Sequence, residues 1–175
     1  MNEATPNTWV ESRHILLFTV PGLPKPAGSK RAIPIRNPKP GGRQFVVVDA
    51  CKQSKDWKLD VAWAAKEQFG NRPPVTCAIR LDVTFFLPRP KSHYGTGSNS
   101  NKLKESAPTW HTQRPDATKL LRCVEDALTG LVWRDDAQIV WQRATKGWDD
   151  RPRAIIEVQE VVAVVSQPAI ITGSR

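Results

Sequence analysis

RPDATKLLRCVEDALTGLVWRDDAQIV, residues 114–140, is the stretch from which the rest of the chain can be read. Leu120, Leu121, Val124, Ala127 and Leu128 recur at the spacing of one helix face, which predicts a helix over about 117–129 closed by Gly130. Asp116 stands just ahead of that helix, and Asp135 and Asp136 stand just after it. Each has an ordinary local role: an Asp behind Pro115 suits an N-cap, and an Asp pair between helix and strand suits a turn. Spacing alone leaves the two sets of acids at opposite ends of a helix close to 20 Å long.

Outward from this stretch, AQIVWQRATK (137–146) and RAIIEVQEVV (153–162) read as two strands of a hairpin joined by GWDDRP. Upstream, TCAIRLDVTFFLP (76–88) alternates Ile79, Leu81, Val83 and Phe85 against Arg80, Asp82, Thr84 and Phe86, the pattern of a strand with one buried face. Residues 51–69 place Trp57, Val61, Ala64, Ala65 and Phe69 on one helix face, with Gly70 just past the end. HILLFTV (14–20) and RQFVVVD (43–49) read as earlier strands. The order β, β, α, β, long loop, α, β, β predicts an α+β domain. Its expected form is a small mixed, largely antiparallel sheet with two main helices packed against it. We read residues 1–13 as a flexible arm, 14–162 as one domain with a long basic loop at 88–114, and 163–175 as a frayed tail.

The chain has 175 residues and a formal net charge of +9, and the excess is uneven. Residues 21–43 contribute +6 and residues 88–114 contribute +4, leaving −1 for the remainder. Basic loops on a near-neutral scaffold are one way to build a phosphate-binding rim, although basic loops also simply keep a protein in solution. No apolar run approaches the roughly 20 residues that span a bilayer, so no membrane association is expected. The polar start MNEATPNTWVESRH is not a signal peptide, and an intracellular protein is expected. Three widely spaced cysteines, Cys51, Cys77 and Cys123, suggest neither a disulfide framework nor a zinc site. They read as small core residues.

The 114–140 stretch resembles the signature of the RusA family of Holliday-junction resolvases, in which Asp-x-Asp-Asn-Leu-x-Lys opens a helix running to Asp-Ala-Leu, followed by Asp-Asp-x-Gln-Val. VPGLPKPAGSKR, the helix after VVVD and the strand ending FFLPRPKS fall in the family's order, so a weaker resemblance extends over most of residues 14–162. The resemblance implies a small α+β homodimer that binds branched DNA and cuts phosphodiester bonds using Mg²⁺ or Mn²⁺ held by aspartates, in the cytoplasm of a bacterial or phage-infected cell. Asp116 matches the first acid of the family's pair, and Asp135 and Asp136 match the later Asp-Asp, which makes these three the implied metal ligands. Thr118 stands where the family has its second acid, Lys119 where it has Asn, and Arg122 where it has Lys. Asp82 is a candidate substitute carboxylate, against its plainer reading as a solvated strand residue.

Mg²⁺ held by carboxylates activates water and stabilises developing negative charge, and Arg122 and Lys119 are the expected cationic helpers. Arg122 also has a plain alternative, an i, i+4 pair with Asp126. For the DNA backbone, Lys30 and Arg31 are the first candidates, with Lys25, Arg89, Lys91 and Arg114 beside them. Of the seven tryptophans, Trp57 and Trp133 read as core, whereas Trp110 and Tyr94 in the long loop are candidates for stacking on bases. His93 and His111, isolated in the same loop, carry no assignment. The expected activity is resolution of four-way junctions. Two alternatives are a branched-DNA-binding protein that has lost turnover, and a less selective flap or fork nuclease.

Overall fold

The computed structural model describes residues 9–28, 30–36, 40–42, 44–49 and 54–164. Among these residues, six strands and two α-helices follow one another as β1 (Trp9–Pro21), β2 (Lys30–Pro34), β3 (Phe45–Asp49), α1 (Ser54–Phe69), β4 (Ile79–Leu87), α2 (Ala117–Leu128), β5 (Ile139–Trp148) and β6 (Arg153–Val164). The fold is α+β, as expected. β1, β6, β4 and β5 form one sheet in that order, and β2 and β3 form a separate two-stranded sheet.

Both helices lie on one face of the main sheet and share its core. Leu16, Phe18 and Val20 of β1, alternate residues Ile79 to Leu87 of β4, and Ala154, Ile156 and Val158 of β6 bury against Trp57, Val61, Ala65 and Phe69 of α1 and Leu120, Val124 and Leu128 of α2. This is the period-2 pattern of the strands meeting the apolar faces of the helices. Trp57 and Trp133 are core, as their positions suggested. Gly70 and Gly130 adopt positive φ angles just beyond the two helices, conformations that favour glycine. Cys123 is buried with its Sγ donating to Ser54 O, Cys77 is half-buried, and Cys51 lies outside the described residues.

Three expectations are corrected. β5 and β6 do not form a hairpin: β4 lies between them, paired antiparallel with β6 and parallel with β5. The GWDDRP connection instead crosses the end of β4, where the Asp149 amide donates to Leu87 O at 3.0 Å. The segment 21–43 is not wholly loop, because Lys30–Pro34 pairs with Phe45–Asp49. The first strand begins at Trp9, inside the stretch read as an arm, and pairs with β6 as far as Trp9 opposite Val164. Among the described residues, no helix is long and apolar enough to cross a membrane.

Residues 88–114 are a folded segment. Its ends are held by a cluster around Trp148, the last residue of β5. His111 stacks on that indole with ring centroids 4.1 Å apart, and His93 meets it edge-on at 5.2 Å. The Arg89 guanidinium lies 5.2 Å from the same ring and donates to Pro108 O at 2.9 Å. Both histidines are buried, and burial pushes the His111 imidazole below its ordinary range. Inside the loop, the amides of Gly95 and Lys104 donate to Lys102 O and His93 O, closing a small antiparallel bridge between Tyr94 and Leu103.

Candidate active site in the groove between a helix and an edge strand

α2 lies along β5, which is an edge of the main sheet. The side chains of β5 alternate, so Gln142, Ala144, Lys146 and Trp148 point toward the helix side. Lys146 fixes the entrance of the helix by donating to both Gln113 O and Pro115 O at 2.8 Å. Beyond it opens a groove of about 530 Å³, walled by Ala117, Thr118, Leu121, Arg122 and Glu125 of α2 and by Gln142 and Ala144 of β5. Thr118, Arg122 and Glu125 are spaced i, i+4, i+7, one stripe of the helix.

Asp116 takes the N-cap position, but its carboxylate makes no cap hydrogen bond. It pairs instead with Lys119 at 3.0 Å. The hydrogen bond and charge of Lys119 hold the Asp116 carboxyl below the usual carboxylate range, with Arg114 and Lys146 adding to the effect. Asp135 and Asp136 stand beyond the other end of α2. Asp135 caps a 3-10 turn at Asp136–Gln138 by accepting from the Ala137 amide at 2.9 Å, and Gln138 completes the reciprocal capping box. The Gln138 side chain accepts from the Arg134 and Asp135 amides and donates to Val75 O and Cys77 O. One glutamine thus ties the acidic turn to the chain entering β4, and Asp136 is left exposed, with no ion pair to its carboxylate among the described residues.

The acids named from the sequence therefore do not converge within one chain. Asp116 stands at the start of the 12-residue α2, about 18 Å long, and Asp136 lies in a turn beyond its other end. Among the described residues, no three histidine, cysteine, aspartate or glutamate side chains form a metal-binding group. Sequence reasoning missed Glu125. Half-buried in the groove, its carboxyl is raised above the usual range first by burial and then by the neighbouring charges of Asp136 and Asp126, with Arg122 opposing. The visible signal was its position on the Thr118–Arg122 stripe, seven residues from Thr118.

Arg122 faces the groove. Its plainer alternative is not realised, since Asp126 pairs with Lys58 of α1. Lys91 and Arg114 are exposed, and Arg89 is engaged at Trp148 and Pro108. Lys25 lines a shallow groove shared with Asp56 and Asp60. The side chains of Lys30 and Arg31, at the start of β2, lie outside the described residues. Trp110 is exposed and Tyr94 half-buried. Asp82 is not a solvated strand residue. Only 7% exposed, it sits between Arg80 and Arg143 on the sheet face that carries no helix.

Comparison with known proteins places this arrangement. A relative from Bacillus subtilis (strain 168), bearing the name uncharacterized protein YqaN, is 36% identical over 151 residues, covering 83% of this chain and 96% of that protein. The crossover junction endodeoxyribonuclease rusA of Lactococcus phage r1t is 32% identical over 105 residues, covering 57% of this chain and 71% of that protein. The family model described as Endodeoxyribonuclease RusA matches residues 26–159, a span that contains β4, both helices, the groove and the acidic turn. The helix flanked by acids, the Asp-Asp-x-Gln turn and the match across most of the chain lead to one conclusion: this protein belongs to the RusA endodeoxyribonuclease family.

Proposed function

We propose that the chain is a metal-dependent endodeoxyribonuclease that resolves four-way DNA junctions by hydrolysing phosphodiester bonds in the groove between α2 and β5. The observation that carries this reading is the placement of the family's signature. Its helix forms one wall of an open groove that carries Thr118, Arg122, Glu125 and Gln142 among apolar neighbours, and its Asp-Asp-x-Gln turn holds Asp136 where its charge reaches Glu125. Mg²⁺ takes one or two protein carboxylates and completes its shell with waters and substrate phosphate, so it does not require three converging acids. The hard oxygen donors of the groove fit Mg²⁺ or Mn²⁺. Asp136, with Glu125 beside it, would hold the ion at the acidic-turn end of the groove while Asp135 fixes the turn, and Asp116 would offer a separate oxygen donor at the helix entrance. When bound, the ion supplies an activated water and offsets charge on the phosphate.

Arg122, half-way along the stripe, can bind a phosphate oxygen pair through its planar fork, and Lys119 adds positive charge at the Asp116 end. Lys91 and Arg114 lie exposed to hold the backbone as it enters. A homodimer suits the substrate, because a two-fold axis presents equivalent grooves to opposing strands of a symmetric junction. The second reading, a binding protein without turnover, is favoured by Thr118, which puts a neutral hydroxyl on the groove wall where the family has an acid.

The test is cleavage of a synthetic four-way junction and its matched linear duplex, with and without Mg²⁺, by wild type, Asp136→Asn and Thr118→Asp. Mg²⁺-dependent cutting of the junction ahead of the duplex, lost in Asp136→Asn with binding retained, is the expected result. Equal cutting of junction and duplex would reduce the reading to a general endonuclease. Binding without cutting, with turnover gained in Thr118→Asp, would identify the binding protein.

A further inference from the structure

The sheet face opposite the helices carries a polar construction that the groove does not use. Asp82 lies in the middle of β4, buried to 7% exposure. Arg80, two residues earlier on the same face, donates through Nε to Asp82 Oδ2 at 2.6 Å. Arg143, its register partner on β5, brings Nε to 2.8 Å from Oδ1. Both guanidiniums are thus anchored at Nε, and their terminal N–H groups remain for other partners. The Arg143 side chain is 64% exposed. Trp141, also on β5 and 52% exposed, lies with its ring centroid 5.2 Å from the Arg80 guanidinium carbon.

A buried carboxylate needs a cationic partner, which Arg80 supplies through its hydrogen bond to Oδ2, while Arg143 adds an ion pair that leaves Oδ1 without a hydrogen bond. The largely exposed Arg143 and the exposed indole of Trp141 go beyond what that single hydrogen bond requires. Asp82 and its register partner Glu157 on β6 match the two guanidiniums in number, but both acids lie inward of β5, so Arg143 presents its positive charge at the strand edge. The acid on the far side, Glu157 of β6, accepts from Gln159 at 2.6 Å and lies 3.9 Å from His14. A planar cation pair next to an exposed aromatic ring is suited to a phosphodiester backbone whose unstacked base rests on the ring.

β5 joins the two faces. Its residues Gln142 and Ala144 wall the groove, while Trp141 and Arg143, alternating with them, face the other way. Because β5 is an edge strand, a DNA strand leaving the groove can turn over it without crossing another element. We propose that Arg143, Arg80 and Trp141, organised on buried Asp82, form a second DNA-backbone site on the helix-free face, holding the strand that leaves the groove across the β5 edge. The class of ligand rests on the nuclease reading above.

The experiment measures affinity of the full chain for a synthetic four-way junction in EDTA, across a range of salt concentrations, for wild type, Arg143→Gln, Trp141→Ala and Lys66→Gln. Lys66 is exposed on α1 and removes the same charge far from β5. Arg143→Gln is expected to weaken binding several-fold and to lower the salt slope by about one. Trp141→Ala is expected to weaken binding about tenfold with the slope unchanged. Lys66→Gln should match wild type. Equal losses for Arg143→Gln and Lys66→Gln would show a general charge effect and overturn the site, as would wild-type affinity in Trp141→Ala. If wild type itself neither binds nor cuts the junction, the nuclease reading fails first.

Discussion

Around Trp148, the polar side chains of loop 88–114 are sealed in. His93 and His111 are buried against the indole, and Arg89 is held by the ring and by Pro108 O. Along α2, a short distance down the same strand, Asp116, Arg122 and Asp136 stay exposed. In the sequence the two sets look alike, as isolated polar residues near turns. The difference is in what surrounds them: packing encloses the first set, leaving His93 Nδ1, His111 Nδ1 and Trp148 Nε1 buried without a hydrogen-bond partner, whereas the second is held in position by residues that leave it open to solvent. Lys146 does this at the helix entrance and Gln138 does it at the acidic turn.

That contrast can be broken by substitution. The largest effect is expected from Asp136→Asn, which should lower Mg²⁺-dependent junction cleavage by about 100-fold or more at unchanged melting temperature. A comparable loss of stability would instead place Asp136 with the structural set. Trp148→Ala should cost about 2–3 kcal/mol of stability and expose residues 88–114 to protease, read by urea unfolding and limited proteolysis. Glu125→Gln should reduce cleavage about tenfold and weaken Mn²⁺ binding, measured by calorimetry on the protein alone. Activity and Mn²⁺ affinity both at wild-type level would remove Glu125 from the site. Asp135→Ala should cost about 1 kcal/mol through the lost cap, with cleavage falling less than in Asp136→Asn.

The smallest effect concerns pH. His111 is held below its ordinary value of 6.5 when folded, so the unfolded chain binds the proton more readily. Its contribution is therefore intact above pH 6.5 and declines as pH falls through that value toward the folded one. The melting temperature of wild type should drop between pH 7.5 and 5.5, and His111→Phe should flatten that drop. An identical profile in the variant would locate the proton uptake elsewhere.

The helices were legible because their apolar residues repeat locally: the Leu120, Val124, Leu128 stripe needs no knowledge of a partner. The β4 pattern was legible for the same reason, except at Asp82, whose burial depends on arginines from its own and the adjacent strand. Pairing was not legible. β5 and β6 follow one another closely, and a short turn-like link suggests a hairpin, yet hydrogen bonding inserts β4 between them through contacts some 60–80 residues away. β2 escaped notice because five residues between prolines and glycines carry too little alternation. In the site, motif residues stood out by type, while Glu125, Gln142 and Lys146 became visible only when β5 was laid beside α2.

That pairing also fixes when the groove can exist. Its second wall is β5, whose register with β4 joins Ile79 to Ile139, and the sheet closes only when β6 meets β1 with Val164 opposite Trp9. Such long-range contacts form late in folding, because distant segments must be brought together before any pairing compensates for the lost chain freedom. A chain still emerging from the ribosome short of β5 carries the helix and the acidic turn but no groove. The groove is therefore withheld until β5 has been made and paired with β4.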